Sequence, residues 1–157
     1  MSEIRLGILG GGQLGSMLSV AAKKLNIKTV IYSDDQHAPA QNFCDEFIFG
    51  DYKDKNRIND FVKKVNIITY EFENIPYETL NEINKSKTVN PKPSINRLIQ
   101  HRLAEKDFVN KLNIRTTRYV SIEKKSDLES LSDFLPGILK TTTMGYDGKG
   151  QYPIKSL

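Results

Sequence analysis

The stretch Ile4-Arg5-Leu6-Gly7-Ile8-Leu9-Gly10-Gly11-Gly12-Gln13-Leu14-Gly15 decides the fold of this chain. Its first half is a short apolar run ending in glycines, which reads as a buried strand. Gly10, Gly12 and Gly15 then satisfy the pattern G-x-G-x-x-G, and a helix is expected to open on it. Leu14, Met17, Leu18, Ala21, Ala22 and Leu25 follow at gaps that place them on one helical stripe. Residues 28–32, with β-branched Thr29, Val30 and Ile31, give a second strand. Strand, glycine turn, helix and strand make a βαβ unit with a right-handed crossover.

The alternation continues outward from that unit. A third strand is expected over residues 46–49, then a helix marked by Ile58, Phe61, Val62 and Val65. A fourth strand follows over 67–70, a helix over 77–84 after Pro76, and a short fifth strand at Thr88-Val89-Asn90. This pattern predicts an α/β fold, a Rossmann-like, doubly wound and mostly parallel sheet. Pro91-Lys92-Pro93-Ser94 interrupts it, with Ser94 a good helix N-cap. A domain boundary is placed there, giving domains 1–93 and 94–157. Beyond it, Leu98, Ile99, Leu103, Phe108, Val109 and Leu112 predict one long helix or two short ones. A strand over 117–121, a helix over 127–134 and a strand over 138–140 follow. The chain then enters a glycine-rich loop whose return strand is still owed, so the second unit reads as unfinished.

Composition narrows the function classes. The chain has 157 residues, 38% apolar and 27% charged, and a formal net charge of +4. No apolar run reaches the 18 or so residues of a membrane helix, and the start lacks the features of a secretory signal; a cytoplasmic protein is the expectation. Cys44 is the only cysteine, so no internal disulfide forms, and it reads as a small buried side chain. His37 and His101 stand far apart without a second zinc ligand at suitable spacing, and His101 reads as a helix-surface residue. The basic residues are dispersed as solvated helix faces, not as a nucleic-acid tract.

Three segments carry chemistry. The glycine turn before a helix offers backbone N–H groups and a helix N-terminus to an anion. A dinucleotide reading is open here, with Asp34 or Asp35 on the ribose of NAD. Thr69-Tyr70-Glu71-Phe72-Glu73-Asn74-Ile75-Pro76 lies at a strand's carboxyl end, where ligands bind in open α/β sheets; period two would send Glu71 and Glu73 to one side. Lys140-Thr141-Thr142-Thr143-Met144-Gly145-Tyr146-Asp147-Gly148-Lys149-Gly150-Gln151 places a lysine at a strand end, then a glycine- and hydroxyl-rich loop able to wrap a polyphosphate. It lacks the Ser or Thr and the helix of a P-loop and reads as a hairpin-like lid. Arg102 borders an apolar helix face and reads as a surface arginine or a phosphate contact.

In this order the three segments resemble the 5-(carboxyamino)imidazole ribonucleotide synthases of the ATP-grasp superfamily. The resemblance implies a preATP-grasp domain followed by the start of an ATP-grasp domain, and an ATP- and magnesium-dependent ligase of purine biosynthesis. Such an enzyme joins bicarbonate to 5-aminoimidazole ribonucleotide through carboxyphosphate, releasing ADP and phosphate. It further implies that Arg102 and Lys140 contact ATP and that Gly145, Tyr146, Asp147, Gly148, Lys149, Gly150 and Gln151 cover its phosphates. Tyr146 and Asp147 match positions near the substrate amine and carboxyphosphate. Gly11, Gly12, Gln13, Leu14 and Glu73 match positions for the ribonucleotide, the turn facing its phosphate. Homodimers through the first domain are implied, while nucleic acid and membrane are not partners. The family's metal-binding carboxylates and much of its adenine pocket are expected beyond Leu157, so this stretch alone is expected not to complete the reaction. The alternatives are an NAD-dependent oxidoreductase and a non-catalytic nucleotide-binding or dimerisation module.

Overall fold

The computed structural model describes residues 4–145 and 148–156. The chain divides into two compact units, Met1–Arg97 and Leu98–Leu157.

In the first unit β1 (Arg5–Leu9), β2 (Lys28–Ser33), β3 (Glu46–Phe49) and β4 (Ile67–Tyr70) form one sheet in the order β3-β2-β1-β4. All three pairings are parallel, with Ile8 opposite both Ile31 and Thr69. Helix α1 (Gln13–Lys24) connects β1 to β2 and α2 (Lys55–Lys63) connects β3 to β4, a 3-10 turn over Pro39–Asn42 lies between β2 and β3, and α3 (Tyr77–Ile83) follows β4. Asp54 starts α2 by accepting from the N–H groups of Asn56 at 3.0 Å and Arg57 at 3.1 Å. The expected fifth strand reduces to one parallel bridge, Ile68 to Val89. Pro91 has no N–H to carry that ladder further.

Side-chain alternation divides the core. Leu9, Val30, Tyr32 and Ile68 face one way and pack with Phe61, Leu80 and Ile83. Ile8 and Ile31 face the other way and meet Ala40, with Cys44 partly buried beside them. Cys44 is thus half-buried, not enclosed.

The face of α1 that packs is rotated from the one its apolar periodicity predicts and shares only Ala22 with it. Gly15, Ser19 and Ala22 are buried, while Leu14, Met17 and Leu25 are 57%, 65% and 71% exposed. Closeness explains this: a Cβ added at Gly15 would lie 2.9 Å from the Gly10 carbonyl oxygen. Only small residues fit where helix and strand approach so nearly.

Helix α4 (Pro93–Ile99) begins one residue before Ser94, so Ser94 lies inside it instead of capping it. A break separates it from α5 (Arg102–Lys111), giving two short helices. The division between units falls after Arg97, beyond the proline pair, because Asn96 is fully buried and donates to the Ile75 carbonyl at 3.1 Å.

In the second unit β5 (Gly137–Lys140) and β6 (Gln151–Ile154) pair antiparallel. The return strand taken as missing is therefore present. Two turns of 3-10 helix, Lys125–Ser130 and Ser132–Phe134, replace the expected helix over 127–134. Ser and Asp residues there compete for the backbone, as Asp127 does in accepting from the N–H of Glu123 and Lys124 at 2.9 and 3.1 Å. Residues 117–121 form no strand, since among the described residues β5 has only β6 beside it. No helix of the described residues is long and apolar enough to cross a membrane.

Candidate functional site

In the first unit the glycine turn runs from β1 into α1. Gly10 has φ of +109°, a left-handed conformation that side chains resist, and its N–H extends the β1–β2 ladder to the Tyr32 carbonyl at 2.9 Å. α1 has no side-chain cap of its own at Gly12. The Gly12 N–H instead donates to Glu71 Oε1 at 2.7 Å. Glu71 reaches it because the ladder continues one residue past β4, the Glu71 N–H donating to the Leu9 carbonyl at 3.1 Å. A carboxylate at a helix N-terminus gains from both the charge-assisted bond and the helix dipole.

Of the two acids at the end of β4, the structure thus seats Glu71 against the turn, while Glu73 is exposed. Gln13 and Leu14 are exposed on the first turn of α1, and Gly11 is buried. The signal for Glu71 was its place one step beyond the strand, where alternation still holds. Nearby, Asp34 is held above the ordinary carboxylate range, first by partial removal from solvent and then by Asp51 and Asp35. Burial pushes the Tyr32 phenol up to about 12, its hydroxyl donating to the Asp51 carbonyl at 2.7 Å.

In the second unit Lys140 and Gln151 stand opposite each other at the base of the loop between β5 and β6. The loop closes on itself, with the Thr141 N–H donating to the Gly150 carbonyl at 2.8 Å. Gly148 and Gly150 supply φ values of +82° and +66°. Arg102 begins α5, and its N–H donates to the Thr142 carbonyl at 2.9 Å. Gly145 is buried, and a Cβ there would lie 3.1 Å from the Lys149 carbonyl oxygen and 3.9 Å from Arg102 Nη2. Arg102, Lys140, Gly145, Lys149, Gly150 and Gln151 therefore gather in one place. Tyr146 and Asp147 lie outside the described residues. His101 is not a plain surface residue, because its Nδ1 caps α5 by accepting from the Ala104 N–H at 3.4 Å.

Beside this loop a cavity of 640 Å³ carries Arg102, Lys106, Arg118 and Lys140 on its lining, with Asp133 the acid among the lining residues. Sequence reasoning did not single out Lys106 or Arg118. Each lies on an aromatic ring, Lys106 at 4.9 Å from the Tyr119 centroid and Arg118 at 4.6 Å from that of Phe134. Among the described residues none of these four cations forms a salt bridge, so the cavity favours an anion. No group of three or more His, Cys, Asp or Glu that could hold a metal ion forms among the described residues.

Comparison with known proteins agrees with this division. The family described as the ribonucleotide synthetase preATP-grasp domain matches residues 2–100, and the ATP-grasp domain family matches residues 107–157. The bifunctional purine synthesis protein purC/E of Dictyostelium discoideum is 40% identical over 93% of this chain and 15% of its own length. N5-carboxyaminoimidazole ribonucleotide synthase of Staphylococcus aureus is 33% identical over 96% of this chain and 41% of its own length. The S. aureus synthetase solved with ADP superposes with a TM-score of 0.89 at 32% identity, over 99% of this chain and 43% of that one. The Aspergillus clavatus synthase solved with ADP and 5-aminoimidazole ribonucleotide gives 0.80 at 26% identity, over 98% and 41%. The chain thus spans less than half the length of these relatives.

Proposed function

Because the chain belongs to the ribonucleotide synthetase preATP-grasp family and continues into an ATP-grasp domain, we propose that it forms the amino-terminal part of an ATP-dependent ligase that carboxylates 5-aminoimidazole ribonucleotide with bicarbonate. The observation that carries this reading is the convergence of Arg102, Lys140 and Gly145 around one loop beside a cation-lined cavity. That arrangement suits the phosphates of ATP. Relatives solved with ADP, and with ADP and the ribonucleotide, support it.

In this reading the γ-phosphoryl group passes to a bicarbonate oxygen, leaving ADP. The exocyclic amine then bonds to the carbon as the phosphate leaves, and the amine gives up a proton. Arg102, Lys140 and the loop N–H groups oppose the charge on the phosphates, a contribution that grows as water is excluded. Tyr146 and Asp147 are assigned to the neighbourhood of the amine and carboxyphosphate. The ribonucleotide is assigned to Gly11, Gly12, Gln13, Leu14 and Glu73, to which the geometry adds Glu71. Its carboxylate suits the donation of a sugar hydroxyl or an amine. Magnesium, which the family's chemistry implies, would be held by residues other than those described. Pairing of two chains through the first unit is assigned on the same basis.

Thermal shift tests the assignment on the 157-residue chain. ATP and the aminoimidazole ribonucleotide are expected to raise the transition, and NAD to leave it in place. Stabilisation by NAD alone would replace the reading with the dinucleotide one.

A further inference from the structure

We propose that Asn96 is a positioning residue, whose buried carboxamide holds the loop that presents Glu71 to the glycine turn. This rests on the reading that the turn and Glu71 receive the ribonucleotide. Residues 71–76 connect β4 to α3 without regular structure, yet Glu71 Oε1 meets the Gly12 N–H at 2.7 Å. A loop acid keeps such a bond only where the loop itself is held.

The segment that enters α4 does the holding, at both ends of the loop. Before it, the Tyr70 hydroxyl reaches the Lys92 carbonyl at 3.5 Å. After it, the Arg97 guanidinium lies over the Tyr77 ring at 4.9 Å. Between them Asn96, fully buried, donates Nδ2–H to the Ile75 carbonyl at 3.1 Å. That bond fixes the orientation of the amide, because the flipped carboxamide would set oxygen against oxygen.

Asn96 is not what packing alone would choose. Its neighbour across the bond, Ile75, is itself fully buried, and an apolar residue would satisfy such surroundings. Among the described residues, two of the three buried side-chain atoms that lack a hydrogen-bond partner, Asn74 Nδ2 and Asn96 Oδ1, lie on this clamp. Burying polar groups is costly unless a specific geometry is gained. The geometry gained here is the fixed course of the loop.

Amide hydrogen exchange on the full 157-residue chain, with Asn96→Leu, tests the clamp without any ligand. The Gly12 amide is expected to exchange about threefold to tenfold faster, the range for loss of one hydrogen bond. Amides of β1 and β2 should keep their protection. Asn96→Thr, of similar size, should act in the same direction and keeps the test open should the leucine variant not fold. Titration with the aminoimidazole ribonucleotide is expected to show a similar rise in Kd, with ADP binding unchanged. Unaltered Gly12 exchange, or equal acceleration of all amides, would overturn the proposal. Absence of ribonucleotide binding to the parent chain would instead defeat the functional reading, and the Gly12 exchange would still decide the clamp.

Discussion

Glu71→Ala removes a 2.7 Å bond from a carboxylate to the first free N–H of a 12-residue helix. A hydrogen bond to a charged partner contributes about 1.5–3 kcal/mol, and an anion at a helix N-terminus adds about 0.3–1 kcal/mol. The lower half of that sum applies, because the carboxylate is only partly buried and water can reach the Gly12 N–H once the side chain is gone. The expected loss is about 2 kcal/mol. For a domain of this size that lowers Tm by roughly 8–16 °C. Glu71→Gln keeps an acceptor without the charge and should lose about half as much. Glu73→Ala, at an exposed position, should stay within about 0.5 kcal/mol of the parent. Urea denaturation followed by far-UV circular dichroism measures all three. Equal stability of Glu71→Ala and the parent, or a larger loss at Glu73, would refute the claim that Glu71 caps α1.

Gly15→Ala puts a Cβ 2.9 Å from the Gly10 carbonyl oxygen and should cost about 1–3 kcal/mol by overpacking, read from the same denaturation curves. Asp45 is held below its ordinary value of 3.8, first by the Thr29 N–H and then by Lys28. A depressed folded pKa gives stability that is full above the unfolded pKa and lost as pH falls through the folded one. Asp45→Asn should therefore flatten the decline of stability below about pH 4 and leave its slope near neutrality unchanged, as acid titration of the two proteins would show. Lys140→Ala and Arg102→Ala should each weaken ADP binding about tenfold or more, since each removes a charged contact worth about 1.5–3 kcal/mol; isothermal titration calorimetry checks this, and unchanged affinity would remove both from the nucleotide site.

The sheet was legible because its strands are short β-branched or apolar runs ending in glycine or an acidic residue. Period two then dictates which side chains face each layer, and Leu9 and Ile8 obey it. Helix α1 was legible as a helix but not in its orientation. Its apolar stripe outweighed Gly15 and Ser19, whose importance lies in how closely backbone approaches backbone. Periodicity carries no information about that distance. The second unit was harder to read for a different reason. Residues 117–121 have strand-like composition, but a strand needs a neighbour to pair with, and β5 has only β6 among the described residues. At the sites, Arg102 and Gly145 could be expected near each other only through the family's pattern, since 43 positions separate them and no local spacing links them. Glu71 and Glu73 looked equivalent in sequence. The end of the β1–β4 ladder separates them, leaving one on the turn and the other at an exposed position.

Amide chemical-shift mapping of the 157-residue chain during titration with ADP, then with aminoimidazole ribonucleotide, tests the central claim most directly. The account predicts that ADP moves the resonances of Lys140, Gly145 and Gln151, and that the ribonucleotide moves those of Gly11, Gly12 and Glu71. Shifts at the glycine turn and Asp34 with NAD, while ADP leaves Gly145 and Gln151 unmoved, would contradict it.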